Sequence, residues 1–221
     1  TKDSLTVQSK ATLKLVSVDE SLDTISQGQD NIPVSLSIKN EGEATASIDS
    51  TALVLKDSSG TNITTDYTIV ANPANPVSIA GAVTSTFSYS LKAKNSATLG
   101  NIEIDGTVSG KDQNTNIAIS EDTSDLKGGW LVQTVPSLSI TQVVASKDTV
   151  STGQNQVTVA VTLNNSGDAS ATVESATLIF KDQNSANRTS NYTLQISGNP
   201  WTISGGESKS FNFKVNISAI Q

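Results

Sequence analysis

Asp112, Asn114 and Asn116 stand at every second position of a polar loop, with Glu121, Asp122 and Asp125 a few residues further on. Oxygen-bearing side chains in that alternation open a calcium-binding loop. The glycine and the closing bidentate glutamate at EF-hand spacing are missing. The competing reading is a hairpin tip whose Asp and Asn side chains bond their own backbone. Both stay open at this stage. Two pairs of acids recur along the chain, Glu43 with Asp168 and Asp49 with Glu174. A carboxylate pair can cleave a glycosidic bond only across a cleft at a set separation. Nothing in the spacing specifies either condition, and solvated strand faces account for these acids. Trp130 and Trp201 are aromatic platforms of the kind that stack on sugars, but a lone Trp in a β-protein is more often packing. Five Asn-x-Ser/Thr sequons begin at Asn62, Asn164, Asn187, Asn191 and Asn216, each an acceptor pattern for N-linked glycan. In a chain so rich in Ser and Thr, about that many arise by chance.

Composition narrows the chemistry further. The 221 residues include no His, Cys or Met. The usual proton shuttle, thiolate nucleophile and commonest zinc ligands are therefore missing. No catalytic residue, cofactor site or metal ligand beyond the Asp112–Asn116 candidate is expected. The formal net charge is −7, so nucleic acid and anionic membranes would be repelled. No stretch approaches the length of an apolar membrane span, and no membrane insertion is expected in this segment.

The elements that must carry these residues come from an internal repeat. Leu13 against Leu138 sets an offset of 125 that runs without a gap to Asp57 against Asp182, with 17 of the 45 pairs identical. Asp23-Thr24, Gly28-Gln29, Asn40, Gly42, Ala44, Ala46 and Lys56-Asp57 all recur. Tyr67 and Tyr192 keep the offset. After the loss of one residue Ile79 faces Ile203, Gly81 faces Gly205 and Phe87 faces Phe211. Lys2 meets Lys127 and Val7-Gln8 meet Val132-Gln133, so Thr1 to Ala11 reads as the tail of a preceding copy or an N-terminal strand. The expected organisation is residues 1–11 as that tail, 12–135 as a first repeat, and 136–221 as a second repeat that stops short of any counterpart of Asn101–Gln133.

Within a repeat the apolar residues alternate. Ile32, Val34, Leu36 and Ile38, then Phe87, Tyr89, Leu91 and Ala93, then Phe211, Phe213, Val215 and Ile217 fall at every second place. A period of two marks strands with one buried and one wet face. Further strands are predicted at 13–18, 51–56, 66–70, 102–108, 117–120 and 130–133, separated by Gly, Asn and Ser turns. The predicted fold is all-β: tandem immunoglobulin-like antiparallel β-sandwiches with seven to eight strands per repeat. The short connector from Asp125 to Pro136 predicts semi-rigid linkage between copies.

The pattern Leu138-x-Ile140, Asp148-Thr149-Val150-Ser151-x-Gly153-Gln154, then Val157-x-Val159-x-Val161-x-Leu163-x-Asn165-x-Gly167-x-Ala169 resembles the cell-adhesion-related (CARDB-type) repeats of bacterial and archaeal surface proteins. The resemblance covers both copies, although the repeat here is longer than is typical. It implies an extracellular, cell-surface location and a stacked architectural role, with no catalytic residues to carry over. The first expectation is a spacer, stalk or coat segment whose partners are neighbouring repeats or copies of itself. The alternatives are an adhesion module for a cell-surface glycan or protein, and a filament subunit that polymerises head-to-tail by strand complementation. Two missing strands weigh against the last, and the plainer expectation is that the chain belongs to a larger polypeptide.

Overall fold

The structure is a computed structural model that describes residues 3–196 and 201–219. Thr1, Lys2 and Gln221, which enter the readings above, lie outside the described residues. The chain is all-β and divides into two compact units, Thr1–Gln133 and Thr134–Gln221.

In the first unit β1 (Leu13–Glu20), β3 (Ile32–Asn40), β5 (Tyr67–Ala71) and β7 (Thr84–Ala93) form one sheet in the order β1-β3-β7-β5. The second sheet runs β2-β10-β8-β4-β6 and is built from β2 (Thr24–Ser26), β4 (Ala46–Asp57), β6 (Ser78–Ile79), β8 (Gly100–Asp112) and β10 (Gly128–Gln133). A further strand, β9 (Ala118–Glu121), pairs with β8. The two-residue alternation sets which sides face inward. Ile32, Val34, Leu36 and Ile38 are all at most 2% exposed, and Leu36 lies across from Phe87 on β7. From the other sheet Leu55, Ile104, Trp130 and Val132 point into the same core. Each such aliphatic side chain contributes about 1.5–3 kcal/mol by burial. At Gly106 on β8 the facing sheet comes close: a Cβ there would strike the Leu36 side chain.

Period-two reading breaks in β1, and again in β4, where the register with β8 shifts between Ile48 and Ser50. In β1 the register with β3 shifts between Leu15 and Ser17, leaving Val16 as an extra residue. That bulge moves burial from odd to even positions, so Leu13, Leu15 and Val18 are all buried. The second unit repeats the shift between Ile140 and Gln142.

The second unit contains β11 (Leu138–Ala145), β12 (Val157–Asn165), β13 (Ala171–Val173), β14 (Tyr192–Gln195), β15 (Trp201–Ile203) and β16 (Ser208–Ile217). The sheet β11-β12-β16-β14 reproduces β1-β3-β7-β5, and the β13–β15 pair reproduces β4–β6, with Ala171 on Ile203 as Ala46 is on Ile79. Residues 174–180, the counterpart of the second half of β4, are not strand. In the first unit that half of β4 is held by β8, and among the described residues of the second unit no strand pairs with 174–180.

Three details differ from the sequence expectations. The first unit has ten strands instead of seven or eight, because β2 and β6, three and two residues long, are too short to show alternation. One pair is parallel: β10 runs beside β2, with Val132 on Ile25. The unit boundaries also shift. Ser9 to Ala11 belong with the first unit and Thr134 and Val135 with the second, for the reason given next.

Candidate functional site

Asn40, Gly42, Ala44 and Ile79, each of which recurs in the second copy, meet at one corner of the unit. Asn40 ends β3 and is fully buried. Its Oδ1 accepts the backbone N–H groups of Thr12 and Gly42, each at 3.1 Å, and its Nδ2 donates to the carbonyls of Ala44 at 2.8 Å and Ile79 at 3.1 Å. Asn165 repeats the set. It accepts from Ser137 and Gly167 and donates to Ala169 and Ile203. Four hydrogen bonds satisfy a buried carboxamide completely. The segment leading into the first strand crosses directly over the turn: a Cβ on Gly42 would strike the carbonyl of Lys10, and one on Gly167 that of Val135. Only glycine leaves room for that crossing.

A second layer ties the same segment down. Ser9 N–H donates to Glu43 Oε2 at 2.7 Å, and Ala44 N–H donates to the Ser9 carbonyl at 3.0 Å. In the second unit Thr134 donates through both its N–H and its hydroxyl to Asp168 Oδ2, at 3.2 and 2.6 Å. Ala169 N–H then donates to the Thr134 carbonyl. These bonds, mainly the Thr134 hydroxyl, hold the Asp168 carboxyl below the ordinary carboxylate range. Glu43 and Asp168 therefore do more than solvate a strand face, which is what the sequence suggested. The signal that points to this role is the pairing of Ser9 with Thr134 at the same offset as Glu43 with Asp168.

The calcium candidate sits beside this corner. Asp112 is fully buried. Its Oδ2 accepts the N–H of Ala11 at 2.8 Å, and its Oδ1 accepts from Asn114 N, Thr115 N and Thr115 Oγ1 at 3.0, 2.8 and 2.9 Å. Those bonds, first that from Ala11 and then that from Thr115, pull its pKa down. Asn114 donates to the side chain of Gln8 at 3.1 Å, and Asn116 turns the hairpin at φ +59°. Among the described residues the carboxylate that would head a calcium loop is spent on four protein donors, the geometry of a self-bonded hairpin tip. No group of three or more acids gathers elsewhere among them.

The other candidates do not converge either. Trp130 is 3% exposed and donates to the Tyr67 hydroxyl at 3.3 Å, while Trp201 is 8% exposed and stacks on Phe211 at 4.1 Å. Both are packing residues, with no face offered to a sugar. Asp49 lies 3.8 Å from Lys111, and Glu174 is exposed. In a groove lined by Lys56, Asp57, Asn101, Glu103 and Lys127, the Lys127 ammonium lies 2.8 Å from Glu103 and 3.4 Å from Asp105. Hydrogen bonding to Glu103 raises the Lys127 pKa. Burial works to raise the Asp105 pKa, but bonds from Ser124, Gly106 and Lys127 outweigh it and leave it lowered. Both partners are thus held charged near neutrality, unsuited to proton transfer there.

The second unit also carries an apolar groove of about 200 Å³ lined by Val150, Val157, Phe180, Tyr192, Val215 and Ile217. Their first-unit counterparts Ile25, Ile32, Leu55, Tyr67, Leu91 and Ala93 are buried. There Trp130 packs on Tyr67 and Val132 pairs with Ile25. On β11, Leu138, Ile140 and Val143 are 44, 66 and 57% exposed, against 4, 0 and 4% for Leu13, Leu15 and Val18.

No known protein family matches the chain, and no curated protein matches it. Several solved structures do. The secreted serine protease VesC from Vibrio cholerae aligns over 92% of this chain at 8% identity with a TM-score of 0.30, and the chain spans about half (47%) of that protein. The C-terminal domain of the AgI/II polypeptide BspA from Streptococcus agalactiae aligns over 95% of this chain and 84% of its own length, at 14% identity and a TM-score of 0.32. A chain from a chaperone–tip adhesin complex of CFA/I fimbriae covers 87% of each partner at 10% identity and 0.26. At such scores these likenesses carry no argument about what the chain does. No helix among the described residues is long and apolar enough to cross a membrane.

Proposed function

We propose that the chain is a non-catalytic structural segment of an extracellular surface or filament protein, made of tandem repeats of the CARDB type that act as spacer, stalk or coat. The observation that carries this reading is the duplicated corner. Both copies hold Asn40 or Asn165, Gly42 or Gly167, and the Ser9–Glu43 or Thr134–Asp168 tie, all of which serve the fold. In the Lys56–Lys127 groove, Lys127 is meanwhile paired with Glu103 and Asp105. Repetition of a scaffold without repetition of a reactive constellation is the mark of an architectural array. Protease shaving of intact source cells tests it. Peptides of this chain should be released before lysis, and their appearance only after lysis would end the proposal.

One observation favours a second reading, assembly by strand complementation. Leu5 and Val7, which match Trp130 and Val132 in the repeat register, are 91% and 85% exposed, and Thr149–Ser151, the counterpart of β2, has no strand partner among the described residues. A Val7→Cys, Val150→Cys double variant reports on this in a chain with no other cysteine. Disulfide-linked ladders on a non-reducing gel support complementation, and monomers alone discard it. An adhesion role for a glycan is the weaker alternative, since both tryptophans are buried.

A further inference from the structure

Of the five sequons, two occupy the same place in both units. Asn62-Ile63-Thr64 and Asn187-Arg188-Thr189 follow the hairpin loop after Lys56-Asp57 and Lys181-Asp182, and each Asn closes a bridge to its Lys. The loops share the backbone bonds to their aspartate, although Arg188 also pairs with Asp182 in the second. Asp57 Oδ1 accepts from Ser59 and Thr61, as Asp182 Oδ1 does from Asn184 and Ala186. Asn62 Oδ1 then accepts the N–H of Thr64 at 2.9 Å, and Asn187 Oδ1 that of Thr189 at 2.8 Å. Both asparagines are exposed, and their Nδ2 atoms take no part in the hydrogen bonding among the described residues.

The turn alone does not explain why both residues are amides. An aspartate accepts a backbone N–H equally well, as Asp57 and Asp182 do a few residues earlier. Acid and amide have exchanged elsewhere between the copies, at Asp30/Asn155 and Asp66/Asn191. At 62 and 187 the amide and the hydroxyl two residues on are both kept. The residue between them has changed from a buried Ile63 to an exposed Arg188. The remaining sequons lack this pattern. Asn164 and Asn216 face Lys39 and Lys92 of the first copy and are half-buried on β12 and β16, each strand flanked on both sides. Their Oδ1 atoms are engaged by Ser208 and Gln156.

We propose that Asn62 and Asn187 are N-linked glycan acceptors, one on the equivalent loop of each repeat. This rests on the extracellular reading above. The co-reactant is an oligosaccharide carried on a lipid phosphate or pyrophosphate, presented by a membrane transferase of the host. Asn Nδ2 forms a bond to the anomeric carbon of the first sugar. The carbon–oxygen bond to phosphate breaks, the lipid phosphate leaves with the electron pair, and one amide proton passes to the transferase. The product keeps Oδ1, the acceptor of the Thr64 or Thr189 N–H.

Glycopeptide mass spectrometry of the chain purified from its own cells tests the proposal, alongside Asn62→Asp and Asn187→Asp variants that retain the turn acceptor. Both natural peptides should carry hexose-containing additions, and each variant should lose one glycan from the intact mass while keeping its melting temperature. Bare peptides at 62 and 187 in surface-exposed protein would overturn this inference and leave the surface reading standing, as would glycan found only at Asn164, Asn191 or Asn216. A chain confined to the cytosol would overturn both.

Discussion

Asn40 uses every hydrogen-bonding position of its carboxamide on backbone groups that no other side chain reaches. Replacing it with Asp keeps the shape but removes two donors and sets a charge against two carbonyls. Asn40→Asp should cost about 3 kcal/mol or more, read as a fall in the urea midpoint of the first unit. A change under about 0.5 kcal/mol, the range of ordinary surface substitutions, would show the network to be dispensable. Leu36 makes a similar case for the core: Leu36→Asp should unfold the first unit outright, and an unchanged melting temperature would mean the strand facing is wrong. The carboxylates supply a pH signature. Asp57, Asp105 and Asp112 all have folded pKa values below their unfolded ones. Their contribution is complete above the unfolded value of about 3.9 and is lost as the pH falls through the lowered folded values. The urea midpoint of the first unit should hold steady from neutral pH to about 5 and drop below about 4. Asp112→Asn should blunt that drop, whereas a loss already under way near pH 6 would point to other groups.

At the level of strands, the long alternating runs were legible without coordinates, since β3, β7 and β16 bury the residues that period two assigns inward. What escaped was set by partners distant in the chain. The parallel β2–β10 pair rests on three residues of each strand, too few for a pattern. The bulge at Val16 leaves no mark stronger than an apolar neighbour out of phase. The acids at 43 and 168 look solvated until the incoming segment is seen lying over them. Asp112 was legible as special, but only coordinates show its oxygens turned to Ala11 and Thr115. The equivalence of the two units yields a prediction of its own. A chain in which residues 98–133 are repeated after Gln221 should form β8- and β10-like strands over β11. Hydrogen-exchange protection should then rise along 138–145 and 174–180; unchanged exchange there would argue against equivalence of the two units.

For the whole molecule, two units with separate cores imply two unfolding events. The first unit has a continuous core drawn from both sheets, while the second has two small clusters and an uncovered strand. Urea denaturation should be biphasic, with the second unit melting first, and Leu36→Asp should erase the later transition while sparing the earlier one. A single transition that Leu36→Asp abolishes entirely would mean the units fold as one. The corner has one more consequence. Tension applied to the second unit along the backbone at Thr134 meets its bonds to Asp168 and Ala169 and the Ser137–Asn165 bond before it reaches β11. Several short bonds share that load at once, so each repeat carries its own strain relief where the cable enters.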